Sequence, residues 1–475
     1  MTRFSPAFIA ALALAASVAP VSAQAPLVKY TPEGTRQLIF VNNPERIELG
    51  YTDLIPGSVN YGFTYNDLAD SMLGAKSLLD MTIPPGTYCN AFEHVYNLNR
   101  VATPAAAQNN ARYGIVVFNN GTTTVTLTRT GRGFVTGING GQPFVDALNN
   151  PTNVITTVAP GRFAFLLQSE VDFASRPITP GSFFSGTVDF SVAGGSVRIV
   201  NIVYQNINTV TPFLEATAKP TNAPSSVFTN AATYSGYVTR RYSQATSPAP
   251  ESRVYKGLMT YPRINANGES LGGSVTSGST VATNLAFTIS DTTAANAELP
   301  VTYPRYLADA VTGIFEPSAE AFAANYWITH NTPLRDNATN RAVSNDMFDT
   351  WTPGFGTIHA LVPTFTPNSP FGQANIANWC VFYRDSVTIT NAGTRSRTVQ
   401  LTLNNVTGGT NGSPIAYRIP GGTTWAQTVV RGSAATELVY GTVTVPAGES
   451  RTVEGVFTLG CPGVGTLRHA VKVTN

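Results

Sequence analysis

The stretch Tyr113-Gly-Ile-Val-Val-Phe-Asn-Asn-Gly-Thr-Thr-Thr-Val-Thr-Leu-Thr-Arg129 decides the fold class. Before the Asn-Gly step Ile115-Val-Val-Phe118 is a β-branched and aromatic run, and after it polar and apolar side chains alternate through Val125-Thr-Leu-Thr-Arg129, placing successive side chains on opposite faces of a pleated strand. Asn-Gly readily takes the positive φ angles of a tight turn. The stretch therefore reads as a β-hairpin.

The same period continues in both directions. Arg36-Gln-Leu-Ile-Phe-Val41 ends in the turn residues Asn42-Asn43-Pro44-Glu45, and strands are expected at 153–158, 162–168, 186–192 and 196–204. A helix is expected over 66–80, where Leu68, Met72, Leu73, Leu78 and Leu79 recur at near-helical spacing before Pro84-Pro85 stops it. Alternation returns at 234–241, 253–261 and 281–290. It resumes from Cys380 through Thr390, the turn Asn391-Ala392-Gly393, the strand 396–404, and the unit of strand, turn and strand that closes on Leu459.

Arg3, the small apolar run 7–19 and the steps Val21-Ser22-Ala23 and Ala23-Gln24-Ala25 predict a signal peptide over 1–23, which implies a role outside the cytoplasm. Pro, Ala, Thr, Asn and Ser crowd into 212–228, read as a linker between domains at 24–211 and 229–475. The expected architecture is all-β: two antiparallel β-sandwich domains, Ig-like or jelly-roll-like, the second with large loop insertions and an aromatic insertion around 316–379. Two internal likenesses point either to related domains or to turns common to all antiparallel sandwiches. The stretch 114–128 around Asn-Gly matches 385–403 around Asn-Ala-Gly, and Ile178-Thr-Pro-Gly181 matches Val445-Pro-Ala-Gly448.

Composition narrows the function. Basic and acidic side chains number 29 and 27, charged residues are 12% of the chain, and no cluster of one sign occurs, so nucleic acid is not an expected partner. Beyond Ala19 no apolar stretch approaches the roughly 20 residues of a membrane-spanning helix, and no transmembrane segment is expected. Cys89, Cys380 and Cys461 are the only cysteines. A disulfide is expected between Cys380 and Cys461, leaving Cys89 free; three separate buried thiols are the alternative.

Val41 to Glu45, Phe118 to Gly121, Val188 to Tyr204, Val387 to Gly393 and Val445 to Thr452 carry a resemblance across both halves. In these elements the protein resembles a group of exported bacterial two-domain β-sandwich surface or stalk-like proteins. The resemblance implies a β-rich surface protein with no assigned catalytic residues.

No Gly-x-Ser-x-Gly, Gly-x-Gly-x-x-Gly or His-Glu-x-x-His pattern is present. The four histidines, at 94, 330, 359 and 469, lack metal-site spacing, although Cys89 and His94 are five residues apart and a thiolate and an imidazole can share a metal. Glu316, Asp346 and Asp349 are the carboxylate pair candidates for glycan cleavage. Trp327, Trp351 and Trp379, with Tyr326, form an aromatic group suited to stacking on sugar rings or to filling a core. Asp336, Asn337, Asn345, Asp346 and Asp349 offer oxygen ligands to a structural Ca²⁺; no other cofactor is expected. The expected function is an exported, non-enzymatic structural or adhesive protein of the cell surface or extracellular space, with envelope or matrix proteins, glycans or further copies as partners. The alternative is a carbohydrate-binding or glycan-cleaving protein using the aromatics of 322–383.

Overall fold

A computed structural model describes residues 25–26, 31–41, 46–49, 59–60, 63–64, 73–98, 110–205, 256–258, 278–308, 315–325, 328–330, 335–336, 341–342, 380–405, 412–431, 437–460 and 467–475. The leader and the 212–228 boundary lie outside the described residues.

The protein opens with β1 (Thr31–Val41), β2 (Arg46–Leu49), β3 (Val59–Asn60), β4 (Phe63–Thr64), β5 (Leu73–Ile83) and β6 (Gly86–Leu98). Then come β7 (Ala111–Phe118), β8 (Val125–Thr136), helix α1 (Gln142–Asn149), β9 (Val154–Val158), β10 (Phe163–Gln168), the short helix α2 (Ser169–Asp172), β11 (Phe183–Ala193) and β12 (Val197–Gln205). The middle holds β13 (Lys256–Leu258), β14 (Gly278–Ile289), β15 (Val301–Ala308), β16 (Phe315–Asn325), β17 (Ile328–His330), β18 (Arg335–Asp336) and β19 (Arg341–Ala342). The last part is β20 (Phe382–Asn391), β21 (Arg397–Asn405), β22 (Ser413–Arg418), β23 (Trp425–Val430), β24 (Leu438–Val445), β25 (Ser450–Leu459) and β26 (Leu467–Val473). The fold is all-β and layered.

One twelve-stranded sheet runs through both halves in the order β23-β22-β25-β20-β14-β1-β6-β11-β8-β9, with β13 on β1 and β2 on β6. A four-stranded sheet, β10-β7-β12-β5, belongs to the N-terminal half, and another, β17-β26-β21-β24, to the C-terminal half. Residues of β7 and β12 share one core with β8 and β11, and residues of β21 and β26 share the other with β20 and β25. The sheets are not purely antiparallel, because β1 and β2 pair β6 in parallel and β14 pairs β20 in parallel.

The two cores meet through the sheet's centre. On β1, Leu38 and Phe40 enter the C-terminal core while Ile39 and Val41 enter the N-terminal core. On β6, Cys89 and Ala91 face the former and Tyr88 and Phe92 the latter. Both faces of these strands are buried, which is why Leu38-Ile-Phe-Val41 reads as an unbroken apolar run.

Farther along, α1 covers one face of β8 and β11. A Cβ on Gly133 would overlap the Pro143 carbonyl, and one on Gly131 would crowd Ala147, so the Gly-Arg-Gly of β8 lets the helix lie directly on the sheet. From there Phe144 meets Phe382 edge-on at 5.6 Å, and Phe382 meets Trp425 at 5.5 Å. Asn149 exchanges two 2.8 Å hydrogen bonds with the Trp425 backbone, capping edge strand β23. At the seam Arg384 donates from Nε and Nη2 to the two Glu33 oxygens at 2.6 and 2.7 Å, tying β20 to β1.

The expected helix is corrected over 73–80, where the backbone forms β5; its earlier residues lie outside the described set. Asn201 pairs with Leu79 and Ile202 with Ser77, so Leu78 is the extra residue of a bulge. Two adjacent buried leucines imitate helical spacing in this way.

The expected hairpins are corrected too. β7 lies in the four-stranded sheet and β8 in the twelve-stranded one, so Asn119 to Gly121 crosses between layers; Asn391 to Gly393 does the same from β20 to β21. At both arches one buried asparagine makes the same bonds. Asn119 Nδ2 donates to Thr123 O and Val158 O, each at 2.7 Å, and Gly121 N–H donates to Asn119 Oδ1 at 3.0 Å. Asn391 Nδ2 donates to Arg395 O at 2.8 Å and Val445 O at 2.9 Å, and Gly393 N–H donates to Asn391 Oδ1 at 3.0 Å.

The backbone repeats with them. Gly161 N–H donates to Asn119 O, and Gly448 N–H to Asn391 O, both at 2.8 Å, with the glycines at φ 73° and 72°. Leu127 pairs Val192 in one half and Val399 pairs Val473 in the other. Strands β7, β8, β9, β10 and β11 thus correspond to β20, β21, β24, β25 and β26. The corner equivalent to Val445–Gly448 is Val158–Gly161, not Ile178–Gly181, which forms a separate corner against Tyr96.

Candidate functional site

The constellation closest to a catalytic arrangement lies inside the C-terminal core. Asp385 comes from β20, Tyr440 from β24 and His469 from β26. His469 Nδ1 is 2.5 Å from Asp385 Oδ2, and His469 Nε2 is 2.7 Å from the Tyr440 hydroxyl. A proton on Nδ1 donated to the carboxylate leaves Nε2 to accept from Tyr440. The rings of Phe457 and Tyr440 flank the imidazole at 5.7 and 5.5 Å. A Cβ at Gly455 would overlap the Tyr440 ring and hydroxyl, so glycine makes the room they occupy.

Chemically the trio has an orienter, an imidazole and a hydroxyl. The His469 and Asp385 side chains are 0% and 1% exposed, so no reactant reaches the imidazole in this conformation. Burial, and then the Asp385 charge, hold the Tyr440 phenol well above its ordinary range, the opposite of an activated nucleophile. What the trio does is join the two sheets of its sandwich.

The N-terminal core has its own polar tie. Asn90 and Asn201 exchange hydrogen bonds at 2.9 and 3.0 Å, and Asn201 Nδ2 donates to the Tyr113 hydroxyl at 2.9 Å. Asn90 belongs to the twelve-stranded sheet, Asn201 and Tyr113 to the opposing one. Tyr113 and Asp385 each stand six residues before their arch asparagine, so the duplicated units place a cross-sheet tie on the same strand position with different chemistry. Sequence reading missed both ties, since their members are far apart along the sequence.

At the seam, Cys89 carries a free, fully buried thiol 3.2 Å from Thr187 Oγ1. Burial pushes it up to about 12, against an opposing pull from nearby Arg36. Arg36 is 2.9 Å from Asp189 and lies over the Phe382 ring at 5.2 Å. Burial draws its guanidinium pKa down, but Asp189 and Cys89 outweigh that and raise it. Cys89 and His94 do not converge on one site: five residues along a strand puts them on opposite faces, and His94 lies among the rings of Phe92, Tyr113 and Phe184. Among the described residues no group of three or more His, Cys, Asp or Glu side chains is placed to hold a metal.

Tyr326, Trp327, Trp351, Trp379, Asp346 and Asp349 lie outside the described residues, as do Asn337, Asn345, His359 and Cys461. Glu316, His330 and Asp336 are placed as backbone in β16, β17 and β18. Cys380, the other half of the expected disulfide, is buried at φ 67°. Of the 322–383 aromatics, Phe382 and Tyr383 are core residues, Tyr383 stacking on Phe457 at 5.9 Å. No helix among the described residues is long and apolar enough to cross a membrane.

No family model matches the sequence. No curated protein matches it. Among solved structures, it aligns with oxalate decarboxylase of Lactobacillus farciminis in a formate complex at 10% identity, over 83% of this protein and 75% of that one, with a TM-score of 0.11. It aligns with Fet3p, a multicopper oxidase that functions in iron import, at 9% identity, over 81% and 53%, with a TM-score of 0.09. The coconut allergen cocosin gives 7% identity, 84% of each protein and a TM-score of 0.09. Likenesses this slight carry no argument about fold or chemistry.

Proposed function

We propose that the protein is an exported, non-enzymatic structural or adhesive component of a cell surface or extracellular matrix. The observation that carries this reading is the shared sheet, whose central strands bury side chains in both cores at once. Such a plate suits a part that must keep its shape outside the cell. The Asp385–His469–Tyr440 and Asn90–Asn201–Tyr113 groups support it by spending polar side chains on cross-sheet ties. The predicted leader supplies the address. Envelope or matrix proteins, glycans or further copies are the partners this reading calls for.

Labelling intact producing cells with a membrane-impermeant amine reagent tests the location. Labelling before lysis is the expected result; labelling only after lysis overturns a surface role. The whole protein on a glycan array separates the alternative, since saturable binding there favours a carbohydrate-binding protein.

A further inference from the structure

At the tip of the arch between β7 and β8, Asn120 and Gly121 are both exposed. This pair is chemically labile. When Gly121 N attacks Asn120 Cγ, a new C–N bond forms, the Asn120 Cγ–Nδ2 bond breaks, and the Gly121 proton leaves with the departing ammonia. Water then opens the resulting succinimide to Asp or isoAsp. Glycine helps because no side chain hinders the attacking nitrogen.

The arch restrains that nitrogen. Gly121 N–H donates to Asn119 Oδ1 at 3.0 Å, and the Asn119 side chain is fixed in turn by its two 2.7 Å bonds to Thr123 O and Val158 O. Asn119 is wholly buried. An amide whose proton is held by such an acceptor gives it up less readily and is a poorer nucleophile. The C-terminal arch makes the equivalent bond from Gly393 to Asn391 at 3.0 Å but carries Ala392 where the first has Asn120. The acceptor bond therefore serves the arch itself, and in the first arch it also covers a labile residue.

We propose that Asn120 is a spontaneous deamidation site kept closed in the folded protein by the side chain of Asn119. The whole protein is incubated in mildly alkaline buffer, digested, and Asp plus isoAsp at position 120 are quantified by mass spectrometry. The excised peptide spanning the arch is treated in parallel. The folded protein is expected to convert at least about tenfold more slowly than the peptide, and Asn119→Ser to convert about tenfold faster than wild type, the change set by one hydrogen bond of ~1.4 kcal/mol. Asn391→Ser loses the equivalent bonds in the other unit while keeping Asn119, so it is expected to leave conversion at position 120 at the wild-type rate. Conversion of wild type at the peptide's rate overturns the proposal. So does an Asn119→Ser rate equal to wild type, or equal acceleration by Asn391→Ser, which would assign the rate to general loosening.

Discussion

Cys89 shows what a residue's face decides. Five positions from His94 it invites a metal reading, yet strand geometry points the two side chains into different cores. Its thiol is held up at about 12, from an ordinary 9.0, first by burial. A raised folded-state value means the folded protein keeps the proton longer than the unfolded state does. The associated stability is complete below about pH 9 and declines as pH rises toward 12, at up to about 1.4 kcal/mol per pH unit. Buried Tyr113 and Tyr440 are also raised, by burial, and add to the decline only above the ordinary tyrosine range near pH 10. Urea midpoints between about pH 8.5 and pH 10 are therefore expected to fall less steeply in Cys89→Ala than in wild type. Equal slopes would remove the thiol as the cause.

At the scale of elements, the strands were largely legible and their connections were not. Sequence pattern located β1, β7, β8, β11, β12, β20, β21 and β25, because burial writes itself into sequence, with a period of two where one face is wet and as an apolar run where both are covered. The same period is silent on which strand is the neighbour. Asn119 and Asn391 look like hairpin turns, but their side chains satisfy carbonyls across the layers, a role visible only once the corners at Val158 and Val445 are in place. Helix α1 went unread although Gly140-Gly141 before Pro143, and Asn150-Pro151 after Asn149, mark its ends. Its seat rests on Gly133. Gly133→Ala is expected to lift the helix and cost about 1–3 kcal/mol in a denaturant titration. Thr130→Ala, at an exposed position on the same strand, is expected to leave the midpoint nearly unchanged.

For the whole molecule, sequence reading divides the protein into two sandwiches, and the described residues form two buried cores. What it does not convey is that they use opposite faces of common strands. Leu38-Ile-Phe-Val41 holds the clue, since four consecutive apolar residues fit a strand covered on both sides better than one with a solvent face. The Asp385–His469–Tyr440 group was equally hidden, its members being brought together by three strands from two sheets. A sheet common to both cores couples their unfolding, because melting either half strips one face of β1 and β6.

The most direct measurement is thermal unfolding by calorimetry of wild type, Leu38→Ala and Ile39→Ala. These adjacent residues belong to the C-terminal and N-terminal cores respectively, and each truncation is expected to cost about 2–5 kcal/mol. A shared sheet predicts one cooperative transition in all three proteins, moved downward by both substitutions. Two separable transitions, with each substitution lowering a different one, would contradict it.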